Sequence, residues 1–302
     1  MPQSSASGVP PIGRGCRVCG SGLGPPWRAL DRWLYRQCDA CSAVGLDPIP
    51  SADDLHAYYQ SSYFEGGGQA GYLDYLADEP LHRKNALARV QTARRFRTHA
   101  GGTWLDVGCA VGFTLDTART DGYAVHGVEV SDWASSVARE RFGLDVSASL
   151  AEARFVLQRP VDVLTMYQVL EHLADPLRSL QEARACLRPD GLLLIETWDR
   201  RSIVARLFGR FWQQISPPSV VWLFDRRSLD ELLRRAGFRL MRIEVSPKFI
   251  SIGWGLGLIA DKLPGALQGL PRWIAKTRLG RIPFKYRFDD LILVVAQPDP
   301  SA

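Results

Sequence analysis

Long apolar runs are missing from this chain. No stretch of 18 or more apolar residues occurs, which excludes a membrane-spanning helix. The longest uncharged apolar run, Phe249 to Ala260, is too short and too rich in glycine to cross a bilayer. The opening residues, MPQSSASGVPPIGRG, lack the apolar core of a secretory signal and read as a disordered tail over residues 1–15. With neither signal nor span, the cytoplasm is the expected compartment. No Gly-Lys-Ser/Thr follows a glycine turn, so a P-loop is excluded, and no internal repeat is present. What remains is 302 residues at 46% hydrophobic and 23% charged. That is enough for a sizeable core, in one large domain or one medium domain with an attachment.

Acidic residues are scarce in one region. Residues 200–288 hold 18 Lys and Arg against 5 Asp and Glu, so about +13 lies there and about −8 elsewhere, within a net +5. Such a segment suits an anionic partner: a phosphorylated or nucleotide-linked small molecule, a membrane surface or nucleic acid. A solvated basic face accounts for the same count.

Cysteine is sparse but patterned. Cys16, Cys19, Cys38 and Cys41 read C-x2-C-x18-C-x2-C, and Gly20 follows the first pair. Two such knuckles close a tetrahedral thiolate site for zinc. The expected metal is structural, because four cysteines leave no open coordination position. Disulfides are the weaker reading in a reducing compartment. Cys109 and Cys186 stand alone and read as packing residues.

After this ribbon, residues 51–100 are expected to form a helical connector or lid. Asp53-Asp54 opens a short helix, and Leu81, Leu87, Val90 and Phe96 recur at helical spacing. Tyr58, Tyr59, Tyr63, Phe64, Tyr72 and Tyr75 crowd around the EGGGQAG stretch at 65–71. Strands and helices then alternate. Strands are expected at 103–107, 124–130, 160–166, 192–197, 238–245 and 291–296. Helices are expected at 113–120, from the Ser131 cap to Phe142, from Asp175-Pro176 to Leu187, and from the Ser228 cap to Ala236. Pro189-Asp190-Gly191 reads as a turn. Repeated βα units with buried strands imply an α/β fold with a doubly wound, mostly parallel sheet.

In such sheets the ligand lies beyond the carboxyl ends of the strands. The stretch WLDVGCAVGF puts Asp106 and then Gly108-Cys109-Ala110-Val111-Gly112 at that edge, and Glu129 ends the next strand. The pattern D-x-G-x-x-x-G fits a dinucleotide fingerprint poorly. It suits S-adenosylmethionine, which carries a carboxylate, an ammonium, a ribose diol and a sulfonium. Gly108 and Gly112 would let the backbone approach the methionine part, Asp106 would orient those amides or meet the ammonium, and Glu129 would accept the ribose hydroxyls.

With these pieces, residues 103–245 resemble the class I S-adenosylmethionine-dependent methyltransferases. WLDVGCAVGF, VHGVEVS, VDVLTMYQVLEHLADP and LRPDGLLLIETW stand in that family's order, and DRRSLDELLRRAGF resembles the helix before its last two strands. The ribbon in front makes the whole similar to bacterial two-part methyltransferases of sugar, polysaccharide and secondary-metabolite pathways. The resemblance implies a seven-stranded Rossmann-like methyltransferase domain over 101–302, with an insertion at 246–288, behind a zinc ribbon at 16–50. It implies a cofactor site of Asp106, Gly108, Cys109, Ala110, Gly112, Glu129, Val130 and Gln168, with Ser149 and Leu150 flanking adenine.

His172, after the fourth strand, is the candidate general base for an alcohol acceptor, since an unperturbed histidine titrates near ~6.5. A bracing hydrogen bond to backbone is the competing role. Some similar quinone O-methyltransferases carry E-x-x-E-H there. Gln168 replaces the first carboxylate here, which argues against a catalytic metal. Relatives often read P-P-E-H-L-x-F-F where this chain has SPPSVVWLF, so Ser219 and Val220 stand in place of Glu and His. In the insertion, apolar residues 249–259 precede Lys262, Arg272, Lys276, Arg278, Arg281, Lys285 and Arg287. They fit a lipid-linked or phosphorylated acceptor, peripheral membrane contact, a helix pair capping the sheet, or a dimer contact. The expected function is O-methylation of a small-molecule or glycan acceptor. An RNA methyltransferase is less favoured, because N-P-P-Y and D-P-P-Y motifs are missing. A non-catalytic ribbon-bearing partner protein is the third reading.

Overall fold

The computed structural model describes residues 15–59, 75–97, 101–260, 265, 268–275 and 277–301. All but the last residue of the expected tail lies outside these residues, as do the EGGGQAG stretch and Tyr63, Phe64 and Tyr72.

The chain begins with three short antiparallel strands, β1 (Pro26–Leu30), β2 (Trp33–Gln37) and β3 (Val44–Leu46). Helices α1 (Ala52–Tyr58) and α2 (Glu79–Arg95) follow. Ser51 caps α1 by accepting from the Asp54 amide, so Asp53 and Asp54 fill its first turn rather than start it. The buried face of α2 carries Ala86, Val90 and Ala93, whereas Leu87 is 51% exposed, contrary to its expected place in the apolar stripe. Then come β4 (Gly102–Val107), α3 (Phe113–Thr120), β5 (Tyr123–Val128), α4 (Asp132–Phe142), β6 (Val146–Ser147), α5 (Leu150–Leu157), β7 (Val161–Tyr167), α6 (Pro176–Cys186) and β8 (Leu187–Trp198). The remaining elements are α7 (Ile203–Phe208), β9 (Trp222–Leu223), α8 (Arg226–Arg235), β10 (Phe238–Val245), β11 (Lys248–Ser251), α9 (Ile252–Ala260), α10 (Gly269–Ala275), β12 (Pro283–Tyr286) and β13 (Leu291–Pro298).

Ser131 caps α4, and Asp175 with Pro176 starts α6, as expected. Ser228 does not cap α8. Asp225 does, accepting from the Ser228 amide while the Ser228 hydroxyl accepts from the Asp225 amide. Pro189-Asp190-Gly191 does not separate two elements either. It lies within β8, where the pairing jumps from Val161–Leu187 to Val163–Leu192.

The main sheet is seven-stranded, in the order β10-β13-β8-β7-β4-β5-β6, and β13 runs against the other six. Alternation along the strands builds two cores. Leu105, Val107, Leu164, Met166, Leu193 and Ile195 face α5, α6 and α8. Trp104, Val163, Tyr167, Leu192, Leu194 and Leu293 face α2, α3 and α4. The chain passes from β4 outward to β5 and β6, then returns to β7 on the other side of β4. The loops after β4 and β7 therefore diverge and open a crevice between them.

The ribbon sheet is completed from outside the ribbon. β3 pairs with β9, giving the order β1-β2-β3-β9, so Gly45 lies opposite Trp222. A Cβ on Gly45 would meet Trp222 Cζ3 at 2.4 Å. That indole is fully buried, and its Nε1 donates to the Leu173 carbonyl at 3.1 Å, so it has no room to retreat. Nearby, Ser42 Oγ donates to both Asp225 oxygens at 2.8 Å, and Arg200 pairs with Asp225 at 2.9 Å. No described helix is long and apolar enough to cross a membrane. Replacing Gly45 with alanine should destabilise the protein by about 1–3 kcal/mol through overpacking. Urea unfolding followed by Trp fluorescence measures this, and an unchanged midpoint would show that the contact is soft.

Candidate active site

The loop after β4 is held by backbone. The amides of Gly108 and Cys109 donate to the Val128 carbonyl at 2.7 and 3.1 Å. Gly108 and Gly112 adopt φ of 71° and 90°, and Ala110 adopts 48° despite its Cβ. Added Cβ atoms at the two glycines would meet Val169 Cγ2 at 2.4 Å and Leu144 Cδ1 at 2.3 Å. The missing side chains thus make room for the chain's own packing first, a reason beyond the expected ligand approach. Cys109 is buried against Gly127, and burial pushes its thiol well up. Cys186 is buried as well.

Glu129 lies one residue beyond β5 rather than at its end. Its Oε2 accepts from the Ala110 amide and its Oε1 from the Ser131 amide, both at 2.9 Å. Burial raises its pKa against the pull of these bonds. Val130 beside it is 46% exposed. Asp106 points to the α2 side of the sheet, where Thr165 Oγ1 donates to it at 2.5 Å and is itself bonded by Trp104 Nε1. Burial pushes Asp106 up to about 7. Ser149 caps α5 from an exposed position, accepting from the Glu152 amide, while Leu150 is buried.

The second shelf follows β7. Gln168 adopts a φ of 59°. Its Nε2 donates to Glu196 Oε1 at 2.9 Å, and its Oε1 accepts from Lys248 Nζ at 3.2 Å. Arg89 also donates to Glu196 Oε1, at 2.8 Å, and Ser246 Oγ donates to Oε2 at 2.6 Å. Arg89 lies 4.2 Å over the Tyr167 ring. Arg89 and Lys248 outweigh burial and hold the Glu196 carboxyl below its usual range. Burial pushes Lys248 down to about 8. Neither cation was singled out from the sequence. For Arg89 a signal was there in α2, where His82, Asn85 and Arg89 form a polar stripe at helical spacing; Lys248 carries none.

His172 ends a short 3₁₀ turn, Leu170–His172. Its Nδ1 lies 2.6 Å from the Ser219 carbonyl and 2.9 Å from the Tyr59 hydroxyl. Glu171 is buried, and its Oε2 accepts from Thr197 Oγ1 at 2.8 Å. Burial raises its pKa. Of the expected lid tyrosines, Tyr59 therefore reaches His172, while Tyr75 stacks on His82 at 4.0 Å. Burial, then Lys248 and Arg89, push His82 down to about 3.

Among the described residues, only Cys16, Cys19, Cys38 and Cys41 gather three or more Cys, His, Asp or Glu ligand atoms. Their sulfurs all lie within 4.8 Å of one another, with Cys16–Cys41 at 3.6 Å and Cys19–Cys38 at 3.5 Å. Zinc bonds of ~2.3 Å in a tetrahedron place sulfurs about 3.8 Å apart, whereas a disulfide needs about 2.05 Å. Gly20 and Ser42, at φ of 79° and 68°, turn the two knuckles. The buried set fits zinc.

A family model described as a methyltransferase domain matches residues 78–243. Ubiquinone biosynthesis O-methyltransferase of Actinobacillus pleuropneumoniae serotype 5b is 30% identical over 132 residues, 40% of this chain and 56% of that protein. The enzyme of the same name from Caulobacter vibrioides is 32% identical over 126 residues, 39% of this chain and 50% of that protein. The chain thus spans about half the length of the curated relatives it matches. Magnesium protoporphyrin IX methyltransferase from Synechocystis PCC 6803, solved with bound S-adenosylhomocysteine, superposes with a TM-score of 0.52 at 14% identity. That match covers 82% of this chain and all of the other, and it speaks for the fold alone. By its matching domain and its seven-stranded sheet, the chain belongs to the methyltransferase-domain family and has the class I S-adenosylmethionine-dependent fold.

Proposed function

We propose that the protein methylates an oxygen of a small-molecule or glycan acceptor, using S-adenosylmethionine. The observation that carries this reading is the crevice edge. A left-handed glycine loop, Asp106 and Glu129 meet at the carboxyl ends of β4 and β5, in a chain of this family. The O-methyltransferase names of the relatives favour oxygen as the accepting atom. When bound, the cofactor supplies a methyl carbon activated by its sulfonium.

The chain's residues take the following roles. Asp106 faces the ammonium, and Glu129 takes the ribose hydroxyls with lone pairs that the amides of Ala110 and Ser131 leave free. Gly108, Cys109, Ala110 and Gly112 line the methionine part. Val130, Ser149 and Leu150 lie along the adenosine, and Gln168 faces the reacting end. His172 donates Nδ1–H to the Ser219 carbonyl, which leaves Nε2 to take the acceptor's hydroxyl proton as its oxygen attacks. Ser219 stands where the sequence resemblance implies Glu-His, so backbone here supplies the orientation of the base. The ribbon at 16–50 is a structural module whose four thiolates hold zinc.

Three outcomes are expected. Glu129→Gln keeps the size of the side chain but loses its charge, so affinity for S-adenosylhomocysteine should fall roughly ten- to a hundredfold by calorimetry. Unchanged affinity would remove Glu129 from the site. Asp106, half-protonated near pH 7, should ionise when a cationic ammonium arrives. Binding near pH 7 should therefore release protons, and binding near pH 9 should not. Calorimetry in buffers of different ionisation enthalpy reads this, and Asp106→Asn should abolish it. One zinc per chain should appear by elemental analysis, and a strong chelator should lower the melting temperature by several degrees or more. A metal-free protein of unchanged stability would contradict the zinc site.

A further inference from the structure

One cleft is not accounted for by the cofactor edge. It lies between α2, the ends of β8, β10 and β13, and the hairpin of β11 and β12, and holds about 470 Å³. Asn85 clamps the hairpin to α2, donating to the Phe249 carbonyl at 2.9 Å and accepting from its amide at 2.7 Å. The loop of Gly108 to Gly112 is not part of its wall, yet Tyr167 and Glu196 are, so the cleft opens beside the shelf after β7.

The charge of this wall is unbalanced. Arg89, Arg95, Lys248, Lys285 and Arg287 line it against Glu196 and Glu244. Both carboxylates are engaged, Glu196 by Arg89 and Glu244 by Arg95 and Arg242. Among the described residues, Lys248, Lys285 and Arg287 form no ion pair; the Lys248 ammonium donates to the neutral Gln168 amide. Tyr167 is only 8% exposed, and its hydroxyl has no hydrogen-bond partner in the protein. Burial raises its pKa far above neutrality, so it remains an O–H donor. A buried ammonium with no direct ion pair and an unused donor in one cleft call for a ligand with several acceptor oxygens and negative charge. The surplus of three positive charges favours phosphate, at about −2, over a single carboxylate. The volume exceeds what a lone phosphate needs and leaves room for the group attached to it.

We propose that this cleft binds a phosphate or pyrophosphate group of the methyl acceptor, with Lys248 Nζ and the Tyr167 hydroxyl as inner donors and Lys285 and Arg287 at the mouth. The role as acceptor site rests on the methyltransferase reading; the anion site itself does not. The test is calorimetric titration of the full chain with pyrophosphate at fixed ionic strength, with and without S-adenosylhomocysteine, and with malonate as the carboxylate arm. Saturable pyrophosphate binding is expected, tighter than malonate and unhindered by S-adenosylhomocysteine. Tyr167→Phe removes a hydroxyl that bonds to nothing in the free protein, so the fold does not depend on it. It should weaken pyrophosphate roughly tenfold, and Lys248→Met roughly ten- to a hundredfold. Absence of saturable binding, equal affinity in all three proteins, a preference for malonate, or competition with S-adenosylhomocysteine would each overturn the assignment. If pyrophosphate binds as expected while S-adenosylhomocysteine does not, the cofactor reading falls and the anion site stands.

Discussion

A single carboxylate ties the crevice together. Glu129 accepts from Ala110 in the glycine loop through one oxygen and from Ser131 at the start of α4 through the other. The first bond holds Ala110 in a left-handed conformation that costs an L-residue of order 1 kcal/mol or more. The second fixes the entry to α4. Since the amides of Gly108 and Cys109 hang from Val128, one residue before Glu129, the ends of β4 and β5 form one bonded unit. Every group assigned to the cofactor there inherits its position from that unit.

The two shelves of the crevice differ in how their acids are treated. On the first, Asp106 and Glu129 are desolvated with no cation bonded to them, and burial raises both. Glu196 is equally deep, yet Arg89 and Lys248 hold it ionised. The first set suits arrival of a positive ligand, which would favour their charged forms. The second is already saturated with cations and suits a negative one. A sulfonium donor and an anionic acceptor would thus be separated by electrostatics before any shape is considered.

Much of this was legible in the sequence, and what was not has identifiable physical causes. Alternating βα patterns and caps such as Ser131 and Asp175 are local signals, and they place the strands within a few residues. The glycines at 108 and 112 mark a turn, but only packing reveals that Val169 and Leu144 occupy the Cβ positions. Ser228 reads as a cap because the reciprocal Asp225 bond is a matter of three residues, below the resolution of pattern reasoning. Arg89 and Lys248 are separated by 159 positions and meet through Glu196 and Gln168, a convergence that periodicity cannot show. The strand 222–223 is too short to have a period at all, so its union with the ribbon is a tertiary fact.

That union bears on the chemistry. Ser219 and Val220 are held by their backbone. Tyr35 of the ribbon donates to the Val220 carbonyl at 2.5 Å, and Leu46 donates to Val221 at 3.0 Å. On the opposite side, Val221 donates to the Glu171 carbonyl at 2.9 Å, and Trp222 Nε1 donates to Leu173. Residues 219–223 are thus pinned between the ribbon and the turn that carries His172, and the Ser219 carbonyl that orients the imidazole belongs to the pinned segment. The four cysteines gather the strands that hold this segment, so the ribbon forms part of the wall that orients His172.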